Sequence, residues 1–152
     1  MDEASQQIEQ QMTMLLRRVQ SIHISTSSGE IDLDRSAYGI LCRLADEGPQ
    51  RLGALATAFG LDPSTITRQV QSLERAAMVC RMADDDDRRA SILDLTDEGR
   101  EVLEHTRAYR RSRLQQVLAH WSDEERFQLG DLLHKFNDSI QALTDQERNP
   151  GT

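Results

Sequence analysis

The sequence predicts a mainly α-helical fold with one small β-hairpin, and three observations predict it. Long stretches with apolar residues at helical spacing lie toward both ends of the 152-residue chain. In the middle, two short helical stretches are joined by a tight glycine turn. Two short β-prone arms follow, separated by a charged tip. Apolar content is 38% and aromatic content only 4%, so the core must rest on Leu, Ile, Val, Ala and Met. No apolar run approaches the roughly 18 residues a membrane span needs, and the N-terminus does not read as a signal peptide, so no membrane association and a cytoplasmic location are expected.

From Glu3 to about Ser25, Ile8, Met12, Leu15, Leu16, Val19 and Ile22 keep helical spacing. Ser25 to Gly29 reads as a loop. Asp34 suits the N-cap of a second helix whose buried face is Ala37, Ile40, Leu41, Leu44 and Ala45, and Gly48-Pro49 ends it. A short third helix, about Leu52 to Phe59, turns Leu55, Ala56 and Phe59 inward and lacks a good cap. Gly60 then allows a sharp turn, Asp62 can cap the next helix, and Pro63 suits its first position.

In that fourth helix Ile66, Val70, Leu73 and Ala77 form one apolar stripe. The opposite face carries Ser64, Arg68, Gln71 and Arg75, with Thr67 on its flank. These hydroxyl, amide and guanidinium groups are the ones that bond phosphates and base edges, although an ordinary solvated face has the same look. Two short helices joined by a glycine turn make a helix-turn-helix. Met78–Met82 and Ser91–Leu95 then read as the arms of a hairpin wing. Within its polar tip, Asp87 is placed to hold Arg89 through an ion pair. Thr96 caps a long helix to about His120, with Asp97 and Glu98 suited to its first turn. Ser122 and Glu125 form a capping box, and Leu129, Leu132, Leu133, Phe136, Ile140 and Leu143 follow at helical spacing. Terminal helices with apolar stripes and nothing in the chain to cover them argue for a homodimer.

The net charge of −8 seems to disfavour nucleic acid, but its distribution matters more. Between Arg51 and Ala90 six arginines cancel six acidic residues, so the remainder carries the whole excess. Cys42 and Cys80 stand apart, with no CxxC or Cys/His cluster, and read as packing rather than disulfide or metal ligands. His105, His120 and His134 are too dispersed for a zinc site, Trp121 reads as a core anchor, and no cofactor is expected. No phosphate-cradling glycine loop, nucleophile motif or carboxylate pair suggests an enzyme.

Leu55-Ala56, Gly60, Pro63-Ser64-Thr65-Ile66-Thr67-Arg68, Asp87-Arg88-Arg89-Ala90 and Leu95-Thr96-Asp97-Glu98-Gly99 stand in the order and spacing of the MarR family of bacterial transcription regulators, which this chain resembles. The resemblance implies a winged helix-turn-helix between dimerisation helices. The expected divisions are an N-terminal dimerisation helix and loop over 1–32, a DNA-binding domain over 33–96, C-terminal dimerisation helices over 97–145 and a frayed tail over 146–152. It further implies double-stranded DNA as partner, with Ser64, Thr65, Thr67, Arg68 and Gln71 in the major groove, Arg89 in the adjacent minor groove and Arg88 on phosphate. Such proteins usually repress genes and release DNA when a small, often aromatic, effector binds. Arg18, His23 and Tyr38 are the groups here able to stack on or pair with an aromatic carboxylate, although packing of Tyr38 and solvation of His23 are the plainer readings. Four consecutive aspartates in the wing depart from what phosphate would favour. They keep open a rival in which the middle unit binds protein instead of DNA.

Overall fold

The computed structural model describes residues 2–21 and 35–149, the side chains of 19–21 and 35 excepted. The expected Asp34 cap, Ile22, the Ser25–Gly29 loop and His23 lie outside the described residues. The elements run α1 (Glu3–Ser21), α2 (Arg35–Glu47), β1 (Gln50–Arg51), α3 (Leu52–Phe59), α4 (Pro63–Arg75), β2 (Val79–Ala83), β3 (Ser91–Leu95), α5 (Asp97–Val117) and α6 (Asp123–Arg148). The chain forms two compact units, Met1–Arg111 and Ser112–Thr152.

The first unit is built around one core. Ile40, Leu41 and Leu44 of α2 meet Leu55 and Ala56 of α3, Ile66, Val70 and Leu73 of α4, and Leu103 of α5. Met78, Val79, Leu93 and Leu95 close it from the sheet side. The apolar stripes that periodicity marks on α2, α3 and α4 are thus the faces that pack into the core, with two exceptions. Phe59 remains 37% exposed, its ring edge resting 3.1 Å from where Gly39 would carry a Cβ. Ala77 does not continue the α4 stripe: it is exposed and left-handed at φ 57°.

The turn of the helix-turn-helix has a physical cause in the sequence. Gly60 ends α3 at φ 60°, where its N–H and that of Leu61 return to the Thr57 and Ala56 carbonyls at 3.3 and 3.0 Å. The end of α4 repeats the motif: Ala77 and Met78 donate to the Glu74 and Leu73 carbonyls, each at 3.0 Å. Here an alanine occupies the position that favours glycine.

β2 and β3 pair antiparallel with Val79 opposite Leu95 and Ala83 opposite Ser91. The sequence reading missed a third strand. The two residues of β1 pair antiparallel to β3, Gln50 opposite Leu93 and Arg51 opposite Ile92, giving the order β1-β3-β2. The α5 end of the wing is locked to the α4 turn. The Thr96 hydroxyl donates to the Ala77 carbonyl (2.5 Å), and its N–H donates to Met78 O (3.1 Å). The same Thr96 Oγ1 accepts from Gly99 N (3.0 Å), so one residue caps α5 and holds the preceding helix.

In the second unit, Ser122 and Glu125 form the expected capping box, and α6 continues to Arg148. No residue of α6 is buried within the chain. Phe127, Leu132, Leu133, Phe136, Ile140 and Leu143 are all exposed, and Trp121 is exposed rather than a core anchor. Cys80 is likewise exposed, whereas Cys42 is half-buried against the core.

Candidate nucleic-acid interface

Burial of Ile66, Val70 and Leu73 fixes the rotation of α4, and with it which side chains face water. Ser64, Arg68, Gln71 and Arg75 are exposed along one side, while Thr65 and Thr67 are half-buried beside them. The first turn is tightly organised. Asp62 Oδ1 accepts from Ser64 Oγ at 2.5 Å and from Thr65 N at 3.0 Å, and Oδ2 accepts from Thr65 Oγ1 at 2.9 Å. These bonds favour the carboxylate, that of Ser64 most, and hold the Asp62 carboxyl down at about 2. The Thr67 hydroxyl donates to the Pro63 carbonyl at 2.7 Å.

The wing's four aspartates divide by role. Asp84 is buried, ion-paired with Arg51 of β1, and accepts from Asp86 N at 3.0 Å. The Asp86 amide, then burial opposing it, then Arg51 set the balance that leaves its carboxyl below the usual range. Its own N–H donates to the Ala90 carbonyl at 3.2 Å and closes the base of the tip. Asp87 does not pair with the Arg89 guanidinium as expected. Its Oδ1 accepts from the Arg89 backbone N–H at 3.0 Å, the geometry of an Asx turn, because the tip backbone curls toward the carboxylate. Asp87 thus supports the wing through the backbone and leaves the Arg89 side chain exposed.

Several arginines of this unit are committed to acids. Arg81 of β2 reaches Glu74 of α4 at 2.5 Å, tying wing to helix, and Arg107 reaches Asp46 at 2.8 Å. Arg68 and Arg75 on α4, and Arg88 and Arg89 on the wing, are different. All four are exposed, and among the described residues none is ion-paired. The Arg51–Asp84 pair escaped sequence reasoning because it joins distant segments. The third strand, which places Arg51 beside the wing, is its only signal.

The three effector-site expectations separate. Tyr38 is half-buried on α2, with Arg110 stacked 4.1 Å from its ring centroid. Burial first, and then a hydrogen bond with the Cys42 thiol, push its hydroxyl above the ordinary value. Arg18 is exposed on α1, and His23 lies outside the described residues. Among the described residues no group of three or more His, Cys, Asp or Glu gathers to hold a metal, and no helix is long and apolar enough to cross a membrane.

A capped helix presenting unpaired cations, beside a hairpin presenting two more, defines the winged helix-turn-helix class of DNA-binding proteins. The MarR family's sequence model matches residues 33–91. The HTH-type transcriptional regulator YxaD of Bacillus subtilis is 34% identical over 131 residues, covering 86% of this chain and 90% of that protein. The HTH-type transcriptional repressor MdtR of the same organism is 28% identical over 110 residues, 72% of this chain and 70% of its own. The structure of Bordetella bronchiseptica BpsR, whose DNA binding is regulated by 6-hydroxynicotinic acid, superposes with a TM-score of 0.62 at 25% identity, over 84% of this chain and 98% of that one. The chain belongs to the MarR family of transcription regulators, and is not an enzyme.

Proposed function

We propose that this protein is a dimeric, sequence-specific repressor that acts in the cytoplasm and leaves a pseudo-palindromic operator when a small aromatic effector binds. The observation that carries it is the set of exposed, unpaired guanidinium groups of Arg68, Arg75, Arg88 and Arg89 in a chain of net charge −8. In an acidic protein such groups readily find carboxylates, and leaving four free on one helix and its wing is the pattern that phosphate and base edges require. Ser64, Thr65, Thr67, Arg68, Gln71 and Arg75 meet DNA from α4, and Arg88 and Arg89 from the wing, whose backbone Asp87 shapes.

Dimerisation is supported by the exposed apolar residues Ile8, Met12, Leu15 and Leu16 of α1 and by the uncovered stripe of α6. A second copy buries them, as water would not. Repression is supported by the similarity to MdtR, a repressor, and effector control by the similarity to BpsR, whose DNA binding is regulated by 6-hydroxynicotinic acid.

Selection of bound duplexes from a random pool at two salt concentrations tests the reading. An enriched pseudo-palindrome, half-sites about one helical turn apart and affinity falling steeply with salt, is the expected result. Arg68→Ala should lose about 1–3 kcal/mol and relax one base position. Arg89→Ala should weaken preference for A·T flanks. No enrichment at either salt would refute operator binding.

A further inference from the structure

The first five residues of the recognition helix carry three hydroxyls, Ser64, Thr65 and Thr67, and each has its proton committed inside the chain. Ser64 Oγ and Thr65 Oγ1 bond to the two oxygens of the Asp62 carboxylate, at 2.5 and 2.9 Å, and Thr67 Oγ1 bonds to the Pro63 carbonyl at 2.7 Å. An ionised carboxylate and a carbonyl only accept, so the hydroxyl is the donor in every one of these bonds. With its carboxyl held at about 2, Asp62 stays ionised at any pH where DNA binding is measured. Each hydroxyl turns only lone pairs outward.

That constrains what these side chains can recognise. Phosphate oxygens are acceptors, so a hydroxyl whose proton is already committed offers them nothing, and the Asp62 charge at the same helix end repels them. In the major groove the donors are the amino groups of adenine and cytosine, whereas guanine and thymine present acceptors or a methyl group.

We infer that Asp62 is a specificity-determining positioning residue: by holding the Ser64 and Thr65 protons it makes the first turn of α4 an acceptor surface that selects adenine or cytosine and turns away phosphate. Arg68, a donor only, reads the complementary class, guanine. This deepens the DNA-binding reading and rests on it.

The test repeats the random-pool selection with the full chain, Asp62→Asn and Ser64→Ala, each first shown by circular dichroism to keep its helix content. The parent should prefer adenine or cytosine by about two- to tenfold at one or two positions of each half-site, the discrimination that one or two hydrogen bonds supply. Asp62→Asn, whose amide keeps one accepting oxygen and puts a donor in place of the other, should cut that preference below about twofold at one position at least while the guanine preference persists. Ser64→Ala should abolish it at one position with Asp62 still in place. Unchanged base preferences in Asp62→Asn, with affinity altered uniformly, would overturn the inference and leave Asp62 a helix cap alone. A parent that enriches no motif would overturn the DNA-binding reading together with it.

Discussion

Replacing Gly99 by alanine sets two opposed effects against each other in the first turn of α5. Helix propensity favours alanine by up to about 1 kcal/mol, less at a helix end. The surroundings oppose it. A Cβ built on Gly99 falls 2.0 Å from Met78 O and 2.9 Å from Met78 C, where ordinary contact begins at 3.4 Å. Backbone must therefore give by about 1.4 Å, and it cannot give freely, because Met78 O also accepts the Thr96 N–H. Overpacking costs about 1–3 kcal/mol and the threatened hydrogen bond about 0.5–1.5. After propensity is set against them, Gly99→Ala should destabilise by roughly 1–4 kcal/mol. Gly53 in the first turn of α3 is the control: a Cβ there meets nothing within 4 Å, so Gly53→Ala should be neutral or stabilising by up to about 1 kcal/mol. Urea unfolding followed by circular dichroism, at one fixed protein concentration because a dimer's midpoint depends on it, reads both. If Gly99→Ala proves as stable as the parent, the close contact between α5 and the end of α4 does not exist in solution.

Ala77→Gly should raise the unfolding midpoint, since alanine at φ 57° costs roughly 1–2 kcal/mol and the added freedom of glycine in the unfolded chain returns only part of it; a lowered midpoint would show that the turn is not left-handed. Leu93, fully buried where the strands meet the helices, should lose about 2–5 kcal/mol on conversion to alanine in the same urea assay. The Asp62 carboxyl lies at about 2 in the folded chain against 3.8 in the absence of its bonds. The folded state therefore binds protons less readily, and the stabilisation is complete above about pH 4 and lost as pH falls toward 2. Unfolding midpoints of the parent and Asp62→Ala should differ by a constant amount above pH 4 and converge below it, and a pH-independent difference would contradict that linkage.

Local order was legible in the residues themselves. The boundaries of α3, the start of α4, the Asp62 cap, the Ser122 capping box, the hairpin arms and the outward face of α4 all follow from interactions within a few residues, where spacing and cap chemistry leave few alternatives. The motifs that mark the MarR family lie in these same segments. What only the tertiary structure decided depends on where distant segments cross. Two-residue β1 has no period to read, yet it completes the sheet and brings Arg51 to Asp84. Asp87 meets the Arg89 amide rather than its guanidinium because the wing backbone curls toward it. Ala77 leaves its stripe because Thr96, 19 residues on, holds its carbonyl. Periodicity reports which face of an element is apolar. Only packing settles which backbone atoms come to lie against that face, because close approach and ion pairing are set by the positions of whole elements.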